Sequence, residues 1–164
     1  MGARMTTENT VEASESLDVI TDALLTASRL LVGISARSIA QVDENISIAQ
    51  FRTLVILSNR GPVNLATLAS LLGVQPSATG RMVDRLVAAG LIYRLPHPTS
   101  RRELIAALTK RGREVVRRVT AYRRTEIAAI VEKMPEVERH GLVRALTAFT
   151  AAGGEPDASL DIDL

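Results

Sequence analysis

Apolar residues recur at three- and four-residue intervals along most of this 164-residue chain, and the interval shortens to two in a single stretch. Leu17, Ile20, Leu24, Ala27, Leu31 and Ile34 keep the helical spacing, which predicts a long amphipathic helix ending near Val42. A second line of Val19, Ala23 and Leu30 widens its apolar stripe beyond what a small core can cover. Ser47-Ile48-Ala49-Gln50 is a Ser-x-x-Gln capping box, so the next helix should run from there through Phe51, Leu54, Val55 and Ser58 and stop at Asn59-Arg60-Gly61-Pro62. Asn64 caps a third helix, with Leu65, Leu68, Ala69 and Leu72 inward and Gly73 as its stop. Pro76 then opens a fourth, at the position where a missing N–H does no harm. In it Thr79, Met82, Val83 and Leu86 stand at i, i+3, i+4 and i+7 and face the core, which leaves Ser77, Ala78, Gly80, Arg81, Asp84 and Arg85 outside.

The two-residue period covers Leu91 to Leu95 and Glu103 to Leu108, two short strands around His97-Pro98-Thr99-Ser100-Arg101-Arg102. Thr109 caps a long helix carrying Val115, Val119, Tyr122, Ile127 and Val131, broken at Pro135. A last helix sets Leu142, Ala145, Leu146 and Phe149 on one side. Helix, tight turn, helix and Arg-tipped hairpin over Asn64 to Thr109 are the parts of a winged helix-turn-helix. The expected fold is mainly α with a small β-hairpin wing. A disordered tail is expected over residues 1–16, then a dimerisation helix at 17–45; the DNA-reading module spans 46–108, C-terminal dimerisation helices 109–152, and a disordered acidic tail 153–164. Leu17, Ile20, Leu24, Leu142, Leu146 and Phe149 are the expected dimer contacts, since a single module cannot bury two spare apolar faces.

Composition narrows the partner. With 46% hydrophobic side chains the chain can bury a real core. Its four aromatics, Phe51, Tyr93, Tyr122 and Phe149, are too few to stack single-stranded bases, so a nucleic-acid partner should be duplex. The net charge is only +2, yet Pro76 to Arg113 carries eight Lys/Arg against Asp84 and Glu103, a basic segment within an otherwise acidic chain. Lys110, Arg111 and Arg113 stand in the first turn of their helix, where cations oppose the macrodipole; phosphate contact accounts for them there. There is no cysteine, hence no disulfide, thiolate nucleophile or thiol redox sensor. His97 and His140 lie in no metal-ligand spacing, and no phosphate loop, dinucleotide fingerprint or catalytic triad occurs, so no metal, cofactor or enzymatic activity is expected. No apolar run approaches the ~18 residues of a membrane helix, and the acidic N-terminal stretch lacks a signal peptide's basic start; a cytoplasmic protein without a membrane partner is expected.

From Ile46 to Arg113 the chain resembles the MarR family of transcriptional regulators, through "LATLASLLGVQPSATGRMVDRLVAAGLIYR", then "HPTSRR", then "LTKRG". The resemblance implies a dimeric repressor that sets recognition helices in successive major grooves and wings in the flanking minor grooves, relieved in some members by a small ligand. By position it marks Gln75, Pro76, Ser77, Ala78 and Arg81 as recognition-helix residues, joined on the same face by Gly80 and Arg85. Arg102 falls at the wing-tip arginine of the family, with Arg94, His97, Thr99, Ser100 and Arg101 completing the wing. Arg81 has the length to meet guanine O6 and N7 together, a contact worth about 1–3 kcal/mol of base discrimination. Two departures stand out: Ser100 replaces an aspartate that helps hold the wing arginine, and Gly80 costs about 1 kcal/mol of helix stability relative to Ala. Gly80 fits either a close backbone approach to the duplex or drift at an exposed site. The implied ligand pocket lies among the first helix, the second around Phe51, and the Tyr122 helix, and suits a small aromatic acid. The competing reading is a winged-helix protein-interaction module that has lost DNA binding.

Overall fold

The computed structural model describes residues 3–100 and 103–155, with side chains from residue 16 onward. Its elements run α1 (Ala3–Ala40), α2 (Ile48–Arg60), β1 (Val63–Asn64), α3 (Leu65–Leu72), α4 (Pro76–Ala88), β2 (Ile92–Pro96), β3 (Leu104–Leu108), α5 (Lys110–Val131) and α6 (Glu136–Ala152). The local signals explain most of the boundaries. Ser47 Oγ accepts the Gln50 N–H at 3.2 Å while the Gln50 side chain accepts the Ser47 N–H at 2.8 Å, closing the capping box reciprocally. Asn64 Oδ1 accepts from Thr67 N at 2.8 Å, and Gly73 takes the left-handed conformation (φ 65°, ψ 30°) that ends α3. Thr109 Oγ1 accepts from Gly112 N at 3.0 Å and donates to the Gly90 carbonyl at 2.7 Å, so one hydroxyl both caps α5 and fastens it to the end of α4.

Three expectations change. α1 starts at Ala3, well ahead of Leu17, where a tail was expected. Residues 3–16 lack an apolar period, but period reports packing; Ala3, Met5, Glu8, Glu12 and Glu15 carry adequate helix propensity without it. Within α1, Ser16–Ala40 is long and apolar enough to cross a membrane by length and composition alone. The expectation that no such stretch exists is corrected: scattered polar residues interrupt the apolar ones, and three of their hydroxyls fold back onto the helix, Thr21 donating to the Leu17 carbonyl, Thr26 to Asp22 and Ser35 to Leu31. The wing, expected as a hairpin, belongs to a three-stranded antiparallel sheet of order β1-β3-β2, in which Val63 pairs with Ala106 and Asn64 with Ile105. Two residues cannot display a two-residue period, so β1 left no mark in the pattern.

The core lies where α2, α3, α4, the sheet and the first half of α5 meet. Leu54, Leu68, Val83, Leu91 and Val119 are fully buried, and Phe51, Leu57, Leu86 and Ile92 nearly so. Thr79 and Thr53 are buried among them with their hydroxyls satisfied, Thr79 on the Gln75 carbonyl and Thr53 on that of Ala49. Among the described residues α1 joins this core at its C-terminal end, through Ile39, and Ile34 is fully buried one turn earlier. Toward its N-terminus Leu17, Val19, Ile20 and Leu25 are more than half exposed, as are Val137, Val143 and Phe149 on α6, which has no buried residue.

Candidate nucleic-acid interface

α3 and α4 meet across Gly73 and Val74, and α4 presents its outer face to solvent. Gln75 is its N-cap residue but makes no side-chain cap bond, so the amide is free to face outward; Pro76, Ser77, Arg81 and Arg85 are exposed beside it. Ala78 and Gly80 are half-covered. The face is fixed from beneath by Thr79, Val83 and Leu86, with Met82 Sδ 2.8 Å from the Thr53 hydroxyl. Arg81 and Arg85 make no ion pair among the described residues.

Several expected contacts have other work in the folded chain. Arg94 on β2 donates Nη2 to Asp84 Oδ1 of α4, and its Nε is buried without a hydrogen-bond partner among the described residues. It therefore clamps the wing's first strand to the recognition helix, a pairing across ten residues that no local pattern announces. Arg111 Nη1 donates to the Ala89 carbonyl at 3.3 Å, just past the end of α4, and its Nη2 lies 3.7 Å from Asp43. Arg113 Nη1 donates to the Leu108 carbonyl at 2.9 Å. Both guanidiniums satisfy carbonyls at element ends while their side chains stay at the surface; Lys110 is exposed with no ion pair among the described residues. A turn further on, Arg117 grips Glu114 through Nε and Nη2 at 2.9 and 2.6 Å. That hydrogen bond holds the Glu114 carboxyl below its ordinary value and raises the guanidinium in turn.

At the wing, His97 Nδ1 accepts from Thr99 N at 3.3 Å, the His97 N–H donates to the Glu103 carbonyl at 3.0 Å, and Ser100 O accepts from Glu103 N at 3.4 Å. Arg101 and Arg102 lie outside the described residues. Of the expected ligand walls, Phe51 is buried in the core, and the depression at Tyr122 is lined by α5 residues from Arg117 to Thr125. Among the described residues no cluster of His, Asp and Glu could hold a metal.

Comparison with known proteins decides the family. The MarR family model matches residues 46–104, the stretch that holds α2 to the start of β3. Over 87% of this chain and 97% of the other, the fold superposes on the protein RV1404 from Mycobacterium tuberculosis with a TM-score of 0.81 at 85% identity. The chain belongs to the MarR family. An HTH-type transcriptional regulator of Mycobacterium tuberculosis is 28% identical over 57% of this chain, and the match spans 64% of that relative's length. Streptococcus pneumoniae FabT, solved in complex with DNA, shares the fold at 20% identity with a TM-score of 0.73, over 85% of this chain and 98% of its own. The MarR-family segment thus coincides with the elements that position Gln75, Ser77 and Arg81.

Proposed function

We propose that this MarR-family chain is a homodimeric, sequence-specific regulator that binds duplex DNA in the cytoplasm and represses transcription from a pseudo-palindromic operator. The observation that carries it is the exposed face of α4, with Gln75, Ser77, Arg81 and Arg85 free, and the wing clamped beside it by Arg94 and Asp84. A helix end of this size enters the major groove, and a flanking ribbon reaches the adjacent minor groove. In this reading Arg81 reads base edges, Arg85 and Lys110 meet phosphate, and Arg102 serves at the wing tip. Few long side chains point outward from α4, so shape and phosphate contacts carry more of the affinity than base readout does. The exposed apolar positions of α1 and α6, Leu17, Ile20, Leu146 and Phe149 foremost, suit burial against a second copy. The DNA-bound relative of the same fold supports the reading by likeness.

The test is fluorescence anisotropy of labelled duplexes carrying the DNA around the protein's own coding region, titrated at several salt concentrations. Affinity should fall steeply with salt, and Arg81→Ala and Arg102→Ala should each weaken it. A flat salt response, or wild-type affinity in both variants, would refute DNA binding and favour the protein-interaction module. The same assay run with small aromatic acids tests ligand relief, the expected result being weakened binding.

A further inference from the structure

The leading end of α4 is Gln75, an N-cap residue whose side chain is left unused. An N-cap side chain ordinarily accepts one of the first free N–H groups of its helix, as Ser47, Asn64 and Thr109 do for α2, α3 and α5. Gln75 makes no such bond, and the next residue, Pro76, has no N–H to offer. Its main chain is nonetheless fixed: the backbone is extended (φ −66°, ψ 144°), and its carbonyl accepts the N–H groups of Ala78 and Thr79, each at 3.0 Å. The exposed carboxamide therefore stands at the tip of the helix on a held backbone.

Few groups on the outer face of α4 can hold two atoms of one base edge. Ser77 brings a single hydroxyl, and Ala78 and Gly80 bring no polar side chain. Asp84 is engaged by Arg94, and Arg85 lies one helical turn further from the tip than Arg81. Gln75 and Arg81 remain, and Arg81 makes no ion pair among the described residues. A carboxamide sets an acceptor oxygen beside N–H donors. In the major groove adenine alone offers the matching pair, the N7 acceptor beside the N6 donor; guanine offers two acceptors, thymine an acceptor and a methyl, cytosine a donor. Six residues separate Gln75 from Arg81, about 9 Å along the helix axis, which is the rise of roughly two to three base pairs.

We propose that Gln75 is a specificity-determining residue that reads adenine, its Oε1 accepting from N6 and its Nε2 donating to N7. The inference rests on the duplex binding proposed above and adds the identity of a base to it. Each operator half-site then carries an adenine for Gln75 and, roughly two to three base pairs away, a guanine for Arg81. Arg85, set back from the tip, adds affinity without discriminating among bases.

The full chain is used to select sites from duplexes of random sequence, and all four bases are then placed at each position of the selected site for anisotropy titration. The parent protein should favour adenine at one position of each half-site by roughly 5- to 100-fold. Gln75→Ala should bind the four bases there within about twofold of one another, while the guanine preference nearby persists. Gln75→Glu should turn the preference to cytosine, whose N4 donates to a carboxylate. Replacing the adenine with 7-deazaadenine removes the N7 acceptor and should weaken the parent several-fold while leaving Gln75→Ala unchanged. A selected half-site without such an adenine, or an adenine preference kept in Gln75→Ala, would overturn the assignment. Equal loss over all four bases in that variant, with their ranking intact, would overturn it in favour of a phosphate contact. Failure of the parent to select any site would instead sink the duplex binding beneath the inference. Because bases are ranked within one variant, a partly unfolded sample lowers all four affinities alike and leaves the ranking readable.

Discussion

Gly112→Ala should lower stability although it replaces a helix glycine with the best helix former. A Cβ at Gly112 would lie 2.2 Å from the Leu91 carbonyl oxygen and 3.1 Å from Leu108 Cδ2, and the nearer neighbour is backbone, which cannot swing aside. Relief needs a displacement of roughly 1 Å between α5 and the start of β2, a form of overpacking that costs about 1–3 kcal/mol. The same carbonyl accepts the Thr109 N–H at 3.0 Å, and straining that bond forfeits up to about 1 kcal/mol more. Against this stands the propensity gain of about 1 kcal/mol from Gly to Ala. The net loss is about 2 kcal/mol, which for a chain of this size lowers Tm by roughly 4–8 °C. Gly80 provides the internal control, because a Cβ there meets nothing within 4 Å. Gly80→Ala should therefore gain about 1 kcal/mol, or roughly 2–4 °C. Both variants are to be melted at one protein concentration by calorimetry and by circular dichroism, since association shifts Tm. Equal upward shifts in the two would refute the close approach of α5 to Leu91. Binding by Gly80→Ala then separates the two accounts of that glycine: weaker DNA affinity in a more stable protein favours close backbone approach, and unchanged affinity favours drift.

Ser47→Ala removes one half of a reciprocal capping box and should cost about 1 kcal/mol in urea denaturation, with the m-value unchanged. Leu54→Ala empties a fully buried site between α2 and the rest of the core and should cost about 2–5 kcal/mol; a loss under 1 kcal/mol would contradict its placement. Leu146→Glu with Leu17→Glu puts charge on the two exposed apolar faces and should shift sedimentation velocity toward the monomer, whereas an unchanged coefficient would speak against those faces as the dimer contact. The Glu114 carboxyl is held below its ordinary value of 4.5 by Arg117, so the pair's contribution is present above that value and is lost as pH falls through the lower folded-state value. Glu114→Gln should flatten this acid-side decline; solvent screening keeps the change small, and a change near neutral pH would be inconsistent with it.

The helices were legible because each carries its own punctuation. Ser47 with Gln50, Asn64, Gly73, Pro76 and Thr109 act within a few residues of themselves, so a linear sequence records them. What it did not record depends on distant partners. Arg94 stands beside Asp84, and Arg111 and Arg113 beside the carbonyls of Ala89 and Leu108, intrachain partners that no local pattern announces. β1 escaped for want of length. Residues 3–16 carry no apolar period, so the pattern alone did not mark them as part of α1.

The sheet order β1-β3-β2 also bears on what groove entry costs. With β3 pinned to β1 on one side and to β2 on the other, pairing runs out to Pro96 opposite Leu104, and only the residues between those two lie beyond the register. Ordering a residue's backbone costs about 1–2 kcal/mol, and under the proposed groove entry the paired ribbon adds none of that cost. If the wing inserts as proposed, substitutions between Pro96 and Leu104 should change that cost without touching the strand pairing.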